Sequence, residues 1–250
     1  QKYNNIFVAS DLSKLGKLRL KKNDLLENIY TSIKNVTNKP STIFVPTGSL
    51  SHCNSSKIFD LKDSPSEDMG AFSEYIRKKK NSIRSLHPLW SVSGNGKNAK
   101  SLENVSKHAY GIESPWSKML DLDTLQINIG KHPSRAVTLI HHIETIFGVP
   151  YRYNKQFLNK IKINNKIIIS DFYMSVFFKN IGIQKKIRLN EHFFEKLKKK
   201  KRLNYIKNKF GLEIWSFRMR DFYSVAIQEM KLNIFNYLEK EPKFDLLKKY

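Results

Sequence analysis

Short apolar runs alternate with polar stretches along the first half of the chain, and this pattern predicts buried strands joined by helices. Residues 5–9, 42–45 and 124–130 have the length and composition typical of strands. A helix capped by Asn23 is predicted between the first two runs. Strand, helix and strand in this order indicate a βαβ unit, so we expect an α/β fold around a mostly parallel central sheet.

Two further helices and several polar loops complete this half. Apolar spacing predicts helices over residues 69–77 and 100–110. Ser10 and Ser13 lie in the loop after the first predicted strand, and Thr47 follows the second. Ligands bind at the carboxyl ends of strands in open α/β sheets, which makes these loops candidates for a binding site.

A short helix with reactive side chains is predicted after the third strand. It begins near Thr138 and stops at residues 148–150, which read Gly-Val-Pro. Residues three apart share a helix face, so His141 and Glu144 point the same way and His142 points elsewhere. A carboxylate beside an imidazole fixes its tautomer and supports it as a base. On spacing alone, a buried histidine with a structural carboxylate partner is the more common arrangement.

The second half of the chain has a different pattern of apolar and polar residues. Residues 160–169 alternate around an Asn-Asn pair and predict an antiparallel hairpin. The other predicted elements are a very basic helix over residues 190–205, a strand or strand pair near 212–218 and a closing helix near 220–238. We expect one compact unit, in which a smaller α+β part, residues 154–250, packs on an α/β core formed by residues 1–153.

Composition adds a strong positive charge. The 250 residues include 45 Lys and Arg against 22 Asp and Glu, a formal net charge of +23. Such an excess favours anionic partners, such as nucleic acid, an anionic membrane surface or phosphorylated small molecules. Abundant Lys, Asn and Ile encoded by an A/T-rich genome would explain it equally well. The basic run at residues 198–202 allows a nucleic-acid-binding protein, although a solvated helix face accounts for it more simply.

Cysteine content and hydropathy bear on the compartment. Cys53 is the only cysteine, which excludes a disulfide within the chain and suits the reducing cytoplasm. No apolar run approaches the roughly 18 residues of a membrane span. The first residues also lack the pattern of a signal peptide. We therefore expect a cytoplasmic protein without a membrane span.

Seven motifs follow one another along the chain. They are residues 8–16 (VASDLSKLG), 45–47 (VPT), 59–74 (FDLKDSPSEDMGAFSE), 84–88 with 91–92 (RSLHP and SV), 110–116 (YGIESPW), 138–144 (TLIHHIE) and 149–153 (VPYRY). In kind and order they resemble the motifs of the aminoglycoside 3-N-acetyltransferase family, and the resemblance covers nearly the whole chain. One such motif would carry little weight, whereas seven in register identify the chain as a member of this family.

The resemblance implies a three-layer αβα fold and direct acyl transfer from a coenzyme A thioester to an amine, with no covalent enzyme intermediate. It assigns the general base to His141 and its supporting carboxylate to Glu144. An ammonium cannot attack a thioester, so a base must remove a proton before or during the attack. The tetrahedral intermediate needs hydrogen-bond donors for its oxyanion, and backbone N–H groups or the hydroxyl of Thr138 or Ser10 are the candidates.

Acyl-coenzyme A, in the form of acetyl-coenzyme A or a hydroxyacyl-coenzyme A, is the expected co-substrate. Hydroxyl and guanidinium groups suit its phosphates. The candidate contacts are Ser10, Ser13, Arg84, Ser85 and Ser91. Each serine also fits an ordinary cap or turn. The family commonly has a histidine in its first loop where this chain has Ala9, and little sequence precedes the first strand, so the acceptor pocket is expected to differ.

The charge of the chain bears on the amine that is acylated. Aminoglycosides are polycations, and a pocket for them should be rich in Asp and Glu. A strongly basic chain instead attracts anions such as coenzyme A and a nucleotide-linked amino sugar. The leading expectation is therefore an N-acyltransferase acting on, for example, a dTDP-linked 3-amino-3,6-dideoxyhexose for surface polysaccharide (O-antigen) synthesis. Aminoglycoside acetylation, which confers antibiotic resistance, is the alternative.

A metal site is a further alternative. His132, His141 and His142 are the histidines that such a site would use. The chain has no metal-ligand spacing such as His-Glu-x-x-His, so we expect no metal.

Overall fold

The computed structural model describes residues 3–16, 19–37, 40–179 and 191–242 of the chain. Within them the chain forms ten strands and six α-helices. The strands are β1 (Asn5–Ser10), β2 (Thr42–Pro46), β3 (Ile58–Asp60), β4 (Ser82–Arg84), β5 (Val92–Asn95), β6 (Leu125–Ile129), β7 (Arg152–Ile163), β8 (Lys166–Phe177), β9 (Leu203–Lys207) and β10 (Glu213–Arg218). The helices are α1 (Lys22–Val36), α2 (Ala71–Lys78), α3 (Pro115–Asp121), α4 (Leu139–Phe147), α5 (Glu191–Lys199) and α6 (Met219–Leu232).

Seven of the described strands form a mixed sheet in the order β4-β5-β2-β1-β6-β10-β9. The β1–β2 and β1–β6 pairs are parallel, whereas the other four pairs are antiparallel. The α/β class is confirmed, but the expectation of a mostly parallel sheet is wrong. The three apolar runs predicted from the sequence are the parallel centre of this sheet. The pattern missed β4 and β9, the edge strands, each of which is joined to its antiparallel neighbour by a short connection.

Successive residues of the central strands face opposite sides of the sheet. Phe7 and Ala9 of β1 join a large apolar cluster with α3, α4, α5 and α6. Ile6 and Val8 join a second cluster with α1 and α2. Burial on both faces explains why these strands read as continuous apolar runs. The arrangement into three regular layers stays a prediction.

A second sheet has three strands in the order β3-β7-β8. The predicted hairpin is β7 and β8, and its turn residues Asn164 and Asn165 have φ values of 48° and 63°, as a two-residue hairpin turn requires. Both sheets combine strands from before and after residue 153, because β3 pairs with β7 and β6 pairs with β10. The division into two parts at that residue stays a prediction.

The basic helix predicted over residues 190–205 is shorter than expected. As described, it ends at Lys199, and the last predicted residues form β9 instead. Tyr205 of β9 packs on Trp215 of β10, with 4.2 Å between the ring centroids. Pairing with β10 thus overrides the local helix propensity. Asn190, the first residue of the prediction, lies outside the described residues.

Two other local predictions are wrong. The helix expected over residues 100–110 is a 3₁₀ helix, Lys97–Leu102, followed by a loop. Asn23 lies within α1, and Lys21 occupies the cap position without a side-chain hydrogen bond. Among the described residues, no helix has both the length and the apolar character needed to cross a membrane.

Candidate active site

Helix α4 holds the candidate base, as the sequence predicts. Leu139, Ile140 and Ile143 anchor one side of the helix in the large apolar cluster. The helix ends at Gly148, whose φ of 70° is left-handed and whose N–H donates to the carbonyl of Glu144 at 3.1 Å. The helix and its glycine stop are therefore confirmed.

The i, i+3 spacing brings His141 and Glu144 together. Nδ1 of His141 lies 2.9 Å from Oε2 of Glu144. The imidazole is 23% exposed and the carboxylate 2%, so the ring stands between the solvent and a buried charge. His142 points elsewhere, as predicted, and its Nδ1 accepts a hydrogen bond from the N–H of Gly111 at 3.1 Å.

Sequence reasoning missed Arg152, the third member of this group. Its Nη2 lies 2.9 Å from Nδ1 of His141, and its Nε lies 2.8 Å from Oε2 of Glu144 in an ion pair. Nη1 donates to the carbonyl of Ser175 at 3.0 Å, and Cζ lies 3.8 Å from the ring centroid of Phe177. Arg152 belongs to the VPYRY motif, but no helical period links it to Glu144 across the Gly148 turn.

The contact with His141 and the charge of Arg152 together keep Glu144 ionised. Burial alone would raise the pKa of Glu144, but the hydrogen bond from His141 and the positive charge of Arg152 hold it below its ordinary value. The ring of Tyr110 lies 5.6 Å from that of His141, and burial raises the pKa of this phenol, so it stays neutral. The group therefore combines one carboxylate, one guanidinium and one imidazole.

Thr138 immediately precedes α4. Its carbonyl accepts a hydrogen bond from the N–H of His141 at 2.9 Å, and its side chain makes no cap hydrogen bond. Contact with an oxyanion stays a prediction for this hydroxyl.

The loop after β1 holds two of the predicted coenzyme contacts. Ser10 is half-buried at the end of β1, and Ser13 is exposed. Asp11 accepts hydrogen bonds from both the N–H and the hydroxyl of Ser13, at 3.2 and 2.6 Å, and donates its own N–H to the carbonyl of Ile129. The ends of β1 and β6 are thus tied together, and Gly130 makes this close approach possible.

Replacing Gly130 by alanine should displace this loop. At φ 68°, a Cβ would lie 2.4 Å from the carbonyl oxygen of Asp11. Gly148 is a matched control, because it has a φ of 70° and nothing within 4 Å of its would-be Cβ. Alanine at Gly148 should cost about 1–2 kcal/mol for the left-handed backbone. Alanine at Gly130 should lower the free energy of unfolding, measured with urea, by about 1–3 kcal/mol more than alanine at Gly148 does. Equal losses in the two variants would contradict this account of the loop.

Arg84, Ser85 and Ser91 are buried inside the fold. The Arg84 guanidinium donates to the carbonyls of Ser64 and Thr47, both at 2.6 Å, and to the hydroxyl of Ser91 at 2.8 Å. The Ser85 hydroxyl accepts from the N–H of Val92. These contacts explain the three residues by the support they give to neighbouring loops, and their contact with coenzyme A stays a prediction.

Two buried histidines outside this group should make the folded protein less stable at acidic pH. Burial lowers the pKa of both His87 and His142 from 6.5 to about 4. Between these values the unfolded chain takes up protons that the folded chain does not, so stability falls as the pH falls. Lowering the pH from 7 to 5 should reduce the free energy of unfolding, measured with urea, by about 2 kcal/mol per histidine. The variant His87→Gln should lose about half of this pH dependence. Equal stability of the parent protein at both pH values would contradict the prediction.

The proposed metal alternative is not supported by the geometry. Among the residues that the structure describes, no three His, Cys, Asp or Glu side chains form a group able to hold a metal ion. His132 accepts from the N–H of Ser134 and packs on Trp215, while His142 faces Gly111.

The family model described as aminoglycoside 3-N-acetyltransferase matches residues 7–231. The chain belongs to this family. The resemblance found in the seven motifs is thereby confirmed. The enzyme class and the coenzyme are confirmed as well, because the chain is an N-acetyltransferase with acetyl-coenzyme A as donor and an amine as acceptor. No curated protein sequence matches the chain.

Several solved structures share the fold of this family member. Aminoglycoside acetyltransferase AAC(3)-Xa has a TM-score of 0.77 and 14% identity over 92% of this chain and 87% of its own. AAC-VIa bound to sisomicin has a TM-score of 0.77 and 17% identity over 92% of each chain. AAC-IIIb in a binary complex with CoASH has a TM-score of 0.76 and 14% identity over 96% of this chain and 94% of its own. The family assignment favours aminoglycoside acetylation, the alternative, over the nucleotide-sugar expectation.

Proposed function

We propose that the chain transfers the acetyl group of acetyl-coenzyme A to an amine of an aminoglycoside, with His141 as the general base. The observation that carries the proposal is the contact between the half-exposed His141 and the buried, ionised Glu144 in a member of this family. A solvent-facing imidazole backed by a buried carboxylate is suited to accept a proton, because the carboxylate stabilises the imidazolium that forms.

The reaction follows from this arrangement. With the proton of His141 on Nδ1 and donated to Glu144, Nε2 carries the lone pair and takes a proton from the acceptor amine. The amine nitrogen attacks the thioester carbonyl, the C–N bond forms and the C–S bond breaks. The nitrogen that has attacked gives up its excess proton to the leaving thiolate, so coenzyme A leaves as a thiol and the acceptor becomes an amide, while the proton held by His141 passes to solvent. The Thr138 hydroxyl and the backbone N–H groups near it are the proposed donors to the oxyanion.

The coenzyme is proposed to lie along the loop after β1. Ser10, half-buried at the end of β1, and Ser13, exposed in the loop after it, are the proposed direct contacts, since they lie on either side of Asp11. Arg84 and Ser91, which are buried, are proposed to act indirectly by holding the loops around Thr47 and Ser64.

A nucleotide-linked amino sugar is the second candidate acceptor. The net charge of +23 supports it, because a positive field concentrates anionic substrates. The solved relative bound to sisomicin supports the aminoglycoside. Whole-chain charge describes the long-range field and not the pocket, so the aminoglycoside is placed first.

Thiol release from acetyl-coenzyme A distinguishes the two acceptors. The assay uses sisomicin and kanamycin-type aminoglycosides in one arm and dTDP-linked 3-amino and 4-amino sugars in the other. We expect release with the aminoglycosides. Thiol release with the nucleotide sugars alone would overturn the proposed acceptor and support the acceptor inferred from the net charge. No thiol release in either arm would contradict acetyl transfer to both classes of acceptor.

A further inference from the structure

Two side chains with opposite requirements face the same nitrogen of His141. Nδ1 lies 2.9 Å from Oε2 of Glu144 and 2.9 Å from Nη2 of Arg152. A guanidinium only donates hydrogen bonds, and an ionised carboxylate only accepts them. Nδ1 carries either a proton or a lone pair, so one neutral tautomer cannot satisfy both neighbours.

We propose that Arg152 is a positioning residue that competes with Glu144 for Nδ1 and thereby sets the fraction of His141 in the base-competent tautomer. The competition itself is independent of the reaction, whereas its effect on catalysis rests on the proposed function of His141. Glu144 favours the tautomer with hydrogen on Nδ1, which leaves the lone pair on Nε2 for the amine. Arg152 favours the other tautomer, whose Nε2 carries hydrogen and cannot take a proton there.

The surroundings of Arg152 keep it in this position. Its side chain is 5% exposed, pairs with Glu144 through Nε, donates to the carbonyl of Ser175 and lies over the ring of Phe177. A side chain held at these three points cannot simply swing into solvent when His141 changes tautomer. The contact between Nη2 and Nδ1 therefore acts continuously on the ring.

The same geometry makes the ring sensitive to charge. Among the residues that the structure describes, the charged and titratable groups that contact it include Glu144 on its own helix, Arg152 at the start of β7 and the neutral Tyr110 in the loop before α3. Removing the guanidinium should favour both the Nδ1–H tautomer and the imidazolium. The acidic limb of the kcat/KM profile of an active Arg152→Met variant should then move to higher pH.

The test uses two variants with opposite expected effects. The 250-residue chain labelled with ¹⁵N-histidine gives the tautomer of each ring from the chemical shifts of Nδ1 and Nε2, and the His141 signals are those absent from His141→Ala. Arg152→Met should raise the Nδ1–H fraction. Glu144→Gln should lower it, because the glutamine amide can donate to Nδ1 alongside Arg152. Unchanged tautomer populations in both variants would overturn the proposal.

This readout separates the inference from the proposed function. If His141→Ala stays active, His141 is not the base, yet the tautomer shifts still decide whether Arg152 and Glu144 compete. Should Arg152→Met fail to fold, Arg152→Lys replaces it. The lysine ammonium lacks the planar fork that reaches Nδ1 and Glu144 together. We expect a smaller shift of the same sign, and no shift in that variant would count against the proposal.

Discussion

Replacing His141 by alanine should lower kcat for acetyl transfer by about 100-fold or more. The acceptor amine is an ammonium near neutral pH and needs a positioned base to lose its proton. The ring lies on the solvent side of Glu144 and is the group placed to do this. Binding of coenzyme A, measured by calorimetry, should change little, because the proposed coenzyme contacts lie in the loop after β1.

His108→Ala is the control for this loss. His108 contacts the side chain of Asn154 and accepts a hydrogen bond from the N–H of Tyr110, and its side chain is not one of the three that form the group of His141, Glu144 and Arg152. Its kcat should stay within a few-fold of the parent value, and both variants should melt as single cooperative units. A near-normal rate in His141→Ala would remove this histidine from the mechanism.

Replacing Glu144 by leucine should destabilise the protein strongly. The change leaves the guanidinium of Arg152 buried without its carboxylate, and breaking a buried pair in this way costs about 3–5 kcal/mol. The double variant Glu144→Leu/Arg152→Met removes both charges and should recover most of the loss, although neither variant should retain normal activity. Urea unfolding at pH 7 measures all four members of the cycle.

An exposed ion pair is the matched control. Arg202 and Asp221 lie 3.1 Å apart, with the arginine side chain 50% exposed. Asp221→Asn should cost less than about 1 kcal/mol, because solvent screens such a pair. If the Glu144 and Asp221 variants lose the same stability, the buried pair is not the strong interaction that its burial indicates.

The sequence alone predicted those features that depend on local spacing. The pair formed by His141 and Glu144 follows from the helical period, and the helix stop follows from Gly148. The hairpin turn at Asn164 and Asn165 follows from the tolerance of asparagine for positive φ. The parallel centre of the sheet follows from apolar runs that are buried on both faces.

Features that depend on pairing between distant segments escaped prediction. The contact of Arg152 with Glu144 crosses a helix end, a turn and the start of β7, and no periodic pattern encodes it. The burial of Arg84 and Ser91 is of the same kind, since their partners come from loops elsewhere in the chain. Their residue types suit phosphates in the sequence, and only the fold shows that their polar atoms already have partners.

The net charge of +23 led the sequence reasoning towards a nucleotide-linked acceptor. Charge summed over the whole chain describes solubility and long-range attraction. It does not report the few side chains that face a substrate. At the candidate site itself, the negative charge of Glu144 and the positive charge of Arg152 cancel. The net charge of the whole chain therefore says nothing about the acceptor that binds there.

Mass spectrometry of a reaction containing acetyl-coenzyme A and sisomicin tests the central claim most directly, with the parent protein and His141→Ala run side by side. The account predicts sisomicin carrying one added acetyl group, one equivalent of free coenzyme A, and loss of both products in the variant. Product formed at equal rates by the two proteins, or free coenzyme A without acetylated sisomicin, would contradict it.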